Sequence, residues 1–276
     1  MQFLMSRLQA SAISWSSFSA WRNSREPAEQ VRSRHLLELD GRDHAQDLIP
    51  LLNHNLVIGV ASAGFATSLG IAIPDLLWRG ALDSLAGRQL KWIYPVSAHD
   101  DEFLKRATLA STLVIEALQP ASMRRLLAAI DDQLYQTNDD PPRSLAARNL
   151  LQRLALVAAL IENFQPDIRE IPLLVMQAES KVRSANDDLK TELEQIYQRV
   201  RDEFAALAFL YEMRIHAGLA HHPNVAKVAA AAAELGLAKE NWHHPDYLRL
   251  LNLVTNSVLQ IKRHFENACS TRGRYT

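Results

Sequence analysis

SANDDLKTELEQIYQRVRDEFAALAFLYEMRIHAGLAHHP, residues 184–223, is the stretch that decides how this chain folds. Leu189, Leu193, Ile196, Val200, Phe204, Leu207 and Tyr211 recur in steps of three and four, the spacing that puts side chains on one face of an α-helix. Apart from Thr191 and Tyr197, charged and amide residues fill the positions between them as far as Glu203, so the segment reads as an amphipathic helix with one buried stripe. Ser184-Ala-Asn-Asp187 ahead of it has the form of a capping box, an acid three residues after a serine. Pro223 ends the pattern, because a proline cannot donate to the helical ladder. Carried on at the same period, the stripe meets Arg214, Gly218 and His221.

A second long stripe closes the chain. Tyr247, Leu250, Leu251, Val254, Val258, Ile261 and Phe265 predict a terminal helix, entered through Trp242, His243, His244 and Pro245. Between the two stripes, an alanine-rich run from Val225 to Leu235 predicts a shorter helix ended by Gly236. Upstream, Ser144 to Phe164 carries Leu150, Leu154, Val157 and Ile161 at helical spacing and stops at Gln165-Pro166. Ile171 to Met176 is short and apolar, suited to opening a helix or crossing the core. QTNDDPPR, residues 136–143, sets two acids before two prolines with no apolar residue, and is read as the main linker.

The first half is less regular. Asp100 to Leu118 and Met123 to Tyr135 are helical in pattern, the first seated on Asp100, Asp101 and Glu102 and ended by Pro120. Pro74 to Ala86 has the form of a short helix opened by proline. Leu56 to Val60 and Leu90 to Val96 have strand-like composition, which keeps a short strand pair open as an alternative. LVIGVASAGFATSLGIAI, residues 56–73, is 18 residues long and free of charge, the lower limit for a membrane helix. Its serines, threonine and glycines dilute its hydrophobicity, which favours a buried soluble element. The first 25 residues contain no acid, loosely in the manner of a transit peptide, although Phe3, Leu8, Trp15, Phe18 and Trp21 would equally supply a helical face.

Composition narrows the function. A net charge of −1 announces neither nucleic acid nor membrane, and nine glycines in 276 residues weaken the case for phosphate-cradling loops. A single cysteine, Cys269, excludes an intrachain disulfide and a cysteine-based zinc site. His216, His221, His222, His243 and His244 cluster in sequence, but no carboxylate stands at partner spacing, so no metal or cofactor is expected. Nucleophile-elbow, phosphate-loop and dinucleotide fingerprints are all missing.

Arg214 and His221 are the candidate catalytic pair. Seven residues apart, they would share a helix face about two turns, roughly 10 Å, apart. An arginine on an apolar seam is costly unless it is paired or faces a cleft. The R-x6-H pattern after a long helix resembles the signature of the HEPN superfamily, small all-α domains that include metal-independent ribonucleases. The resemblance covers residues 144–270 at most. It implies that Arg214 would hold a phosphate and His221 would act as general acid or base.

The expectation is therefore a mainly α protein, with a helical N-terminal half and a C-terminal helical bundle. Its parts would be a segment over residues 1–45, an apolar helical domain over 46–136, a linker over 137–143 and the bundle over 144–270. The leading functional reading is a helical interaction or assembly module, cytoplasmic, meeting a protein partner or a second copy of itself through apolar helix faces. An HEPN-like endoribonuclease acting on RNA, and a protein anchored in a membrane through residues 56–73, are the alternatives.

Overall fold

The computed structural model describes residues 64–71, 100–135, 147–216, 224–237 and 244–272. The described residues are mainly helical and contain no strand. The helices are α1 (Asp100–Ser111), α2 (Pro120–Ile130), α3 (Asp132–Tyr135), α4 (Ala147–Phe164), α5 (Ile171–Glu179), α6 (Asp187–Glu203), α7 (Ala205–His216), α8 (Val225–Glu234) and α9 (His244–Arg272). The two strand-like segments, Leu56 to Val60 and Leu90 to Val96, lie outside the described residues, as do Pro74 to Ala86 and the linker.

Helix α4 is the axis of the bundle. Every residue from Leu154 to Ile161 is buried, so the helix has lost its polar face over two turns. A helix that is apolar all round must be surrounded, and α2, α5, α6 and α9 pack around this one. Helices from both sides of residues 137–143 share one hydrophobic core. Phe65 meets Phe265 with ring centroids 5.4 Å apart, and Phe103 meets Tyr247 edge-on at 6.2 Å. Arg106, on the same face of α1 as Phe103 and Ala110, is buried with its guanidinium 4.3 Å from the centre of the Tyr247 ring.

Local chemistry ends the helices where composition suggests, with two corrections. The cap of α6 is Asn186 and not Ser184: the Asn186 Oδ1 accepts from the Leu189 N–H at 2.9 Å, and Ser184 stands exposed ahead of it. Asn224 caps α8 in the same way, accepting from the Lys227 N–H at 3.1 Å. Gly236 adopts φ +62° and closes α8 with two returning bonds, Leu237 N–H to the Ala232 carbonyl and Gly236 N–H to the Ala233 carbonyl. Gly70, at φ +74°, closes the helical turn over residues 64–68 with the same pair of bonds. The apolar stretch over 56–73 is thus interrupted before its end, with Phe65 and Ala66 in the protein core. Among the described residues no helix is long and apolar enough to cross a membrane.

The second correction concerns the decisive stripe. It is buried as read through Leu193, Ile196, Val200, Phe204 and Leu207, but the helix breaks at Phe204, between α6 and α7. Helix α6 packs on α4, α5 and α9, whereas α7 packs on α1, α8 and α9. New neighbours turn a new face inward: Ala206, Phe209, Leu210 and Met213 are buried, Tyr211 only partly, and Arg214 is exposed. The apolar seam therefore does not run on beneath Arg214.

Candidate ligand-binding cleft

Arg214 sits in the last turns of α7 and forms an ion pair with Glu116. Glu116 ends a π-helical turn, Thr112–Glu116, that continues α1 with Leu113, Val114 and Ile115 buried. The widened turn carries Glu116 round to meet the arginine. Both side chains are about a third or more exposed, which makes this a weak surface tie between α1 and α7. His221 and Gly218 lie outside the described residues, as do His222 and His243, and the described portions of His216 and His244 are backbone only. Among the described residues no group of three or more metal-ligating side chains converges.

A cleft of about 590 Å³, open to solvent, lies along the side of α6 and α7 that carries Gln198, Arg201, Ala205 and Ala208. Phe204, Ala205, Ala208, Leu235 and Leu253 give it an apolar floor, drawn from α6–α7, the end of α8 and the middle of α9. Arg148 and Gln152 of α4 form one wall, and Gln198, Arg201 and Asp202 of α6 another, with Glu234 at the rim. The small side chains of Ala205 and Ala208 leave the space unfilled. This size and this mixture, an apolar base with a few polar groups, are those of a binding site.

Arg148 is the best-placed polar group in it. Its guanidinium lies 4.8 Å from the centre of the Tyr211 ring, and its Nε donates to the Asn149 Oδ1 at 3.1 Å. Burial lowers its pKa, because charge is disfavoured away from water, and the nearby Glu212 and Tyr211 offset this only in part. The ring contact and the bond to Asn149 hold the side chain in place, with Glu212 as a nearby anion. Asp202, by contrast, accepts from the Gln198 Nε2 at 2.7 Å. A second hollow, of about 330 Å³, opens on the other side of Gln152 between α4, α5 and α6. Its charges are spent: the Arg153 Nη1 donates to the Leu134 carbonyl at 2.6 Å, and its Nε pairs with Glu179 at 3.0 Å.

A further cluster gathers at Glu203, the residue before Phe204. His264 of α9 is buried, its Nδ1 2.9 Å from Glu162 of α4 and its Nε2 2.8 Å from Glu203, the last residue of α6. A neutral imidazole has one N–H and can donate to only one carboxylate. Both bonds need the imidazolium. Burial lowers the pKa of His264, but the hydrogen bonds and charges of Glu203 and Glu162 more than reverse this and raise it above the ordinary histidine value. Asn267 adds a bond to the other oxygen of Glu162 at 2.7 Å. The two carboxylates lie on opposite edges of the ring, so the cluster ties three helices together next to the break and does not enclose a metal.

Reading by motif did not reach these residues. Arg148, Gln152 and Arg201 match no fingerprint, and they meet only because α4 packs against α6. His264 had a signal: it falls on the buried stripe of α9 between Ile261 and Phe265, where a polar ring needs partners. No known family model, curated protein or solved structure matches this chain, so its site is read from its own geometry.

Proposed function

We propose that this chain is a helical interaction module that receives a segment of a partner protein in the cleft beside the α6–α7 break. The observation that supports this reading is the cleft itself: an apolar floor bounded by arginines, glutamines and acids from three helices, with two alanines among its lining. The other charged clusters are used as ties between helices, His264 to Glu162 and Glu203, Arg153 to Glu179, and Arg214 to Glu116. Groups held in this way tie the helices of the bundle to one another. A concave, partly apolar site with fixed polar edges suits recognition of a side chain or two of a partner segment.

The test fills the cleft. Ala208→Trp, and separately Gln152→Trp in case the first disturbs packing, would occupy the space that the partner segment takes. Complexes of the full-length chain are isolated from its native cells and weighed intact by mass spectrometry. The expected result is a defined complex with wild type that is lost with either tryptophan variant, while circular dichroism stays that of wild type. Complexes that survive both substitutions would refute the reading. The measured mass also separates another protein from a second copy of the chain.

A further inference from the structure

We propose that α5 and the links at its two ends, residues 165–182, form a strap held under backbone strain. The strap swings off α4 and α6 as one unit while the rest of the bundle stays folded.

Strain marks both ends of the strap. Gln165, Lys181 and Val182 have φ of +48°, +54° and +48°, and among the described residues they alone reach positive φ without being glycine. Such a backbone presses the Cβ of an L-residue against a carbonyl, and a β-branched residue suffers most. Gln165 leaves the last turn of α4, its N–H on the Ile161 carbonyl at 3.1 Å, and Pro166 behind it narrows its choice of conformation further. At the other end the Val182 N–H returns to the Gln177 carbonyl at 2.7 Å, and the Lys181 N–H to the Ala178 carbonyl at 3.4 Å. Helix α8 ends in the same pair of bonds, with Gly236 in the left-handed position that Lys181 takes here. The same motif is thus built with glycine in one helix and against side-chain sterics in the other.

Packing holds the strained links closed. Val182 is fully buried, and so are Ile171, Val175 and Ala178 on the inner face of α5. Glu179 latches the end of the helix to Arg153 of α4. The seat is incomplete, because the hollow of about 330 Å³ between α4, α5 and α6 lies beside that latch, with Arg153, Glu179 and Tyr197 in its lining. The outer face of α5 is exposed at Leu173 and Met176. A nine-residue helix with one seated face, a gap at its latched end and strain in both links is the element that leaves the bundle most readily. Its departure relaxes all three left-handed residues while α5 keeps its own hydrogen bonds. Helix α4, buried all round from Leu154 to Ile161, opens only with the whole protein. The strap is independent of the cleft beside Phe204, so either can fail without the other.

Hydrogen exchange of the full-length chain, followed by nuclear magnetic resonance at rising urea below the unfolding transition, tests this. Amides of residues 174–182 should share one opening constant, about a hundredfold or more above that of residues 154–161. Lys181→Gly, at an exposed position where glycine takes the same φ freely, should lower that constant about fivefold. Glu179→Gln should raise it about threefold, the effect of weakening a partly exposed ion pair. Neither change should move the amides of α4. One opening constant for both segments would overturn the proposal, since α5 would then leave only with the whole fold. Protection that is lost residue by residue from one end of α5 would also overturn it. Opening of α5 that is unchanged or faster in Lys181→Gly would refute strain as the spring.

Discussion

His264 is held between two carboxylates on different helices, so its removal should cost stability in a way that depends on pH. His264→Gln takes away the cation and leaves Glu162 and Glu203 facing each other across the space. Side-chain exposure is 26% for Glu162 and 13% for Glu203, so neither is well served by water. Breaking a buried pair by removing one partner costs about 3–5 kcal/mol. Asn267 continues to serve Glu162, which puts the expectation at the lower end, about 3 kcal/mol. Glu203 adds to the loss, because a negative charge at the C-terminal end of α6 opposes the helix dipole once the imidazolium is gone. For a chain of this size the change should lower Tm by about 6–12 °C.

The pH dependence follows from the raised pKa of His264. The folded state binds the proton more tightly than the unfolded chain, whose histidine titrates near about 6.5. The stabilisation is therefore complete below that pH and is lost as pH rises through the folded-state value. Urea unfolding at intervals from pH 6 to pH 10 should show the gap between wild type and His264→Gln narrowing as pH increases. A gap below about 1 kcal/mol at pH 6, or one that does not change across the range, would refute the reasoning.

Other perturbations have simpler outcomes. Gly236→Ala should destabilise by about 1 kcal/mol in urea unfolding, since a Cβ there would require φ +62° and would stand 3.2 Å from the Arg249 Nη2. Leu154→Ala, at the buried start of the all-apolar turns of α4, should cost about 2–5 kcal/mol, whereas Arg214→Ala should cost less than about 1 kcal/mol because its pair with Glu116 is exposed. Purified chain in chelator should leave RNA intact, and His221→Ala should change nothing; cleavage by wild type that the variant loses would favour the ribonuclease alternative over the interaction module.

What was legible in the sequence was whatever depends on near neighbours along the chain. The stripes of α6 and α9, the proline and glycine ends, and the apolar run of α4 follow from periodicity and backbone chemistry, which act within a few residues. The choice of Asn186 over Ser184 as a cap is a local competition between two good candidates, and periodicity does not rank them. Long-range neighbours were not legible. Tyr211 and Arg214 keep the period of the stripe, yet α7 turns a different face inward because α1 and α8 replace α4 and α5 beside it. The cleft likewise joins residues far apart in the chain: Arg148 precedes Arg201 by more than fifty residues and had no sequence signal linking the two.

The central claim is that partners are met at the cleft and not on the apolar shoulder of α5, where Leu173 and Met176 are exposed. Photo-crosslinking in native cells separates the two, with benzoylphenylalanine placed at Gln152 in one version of the full-length chain and at Leu173 in another. The account predicts a single adduct from position 152 that Ala208→Trp abolishes, and none from position 173. An adduct from position 173 alone would contradict it.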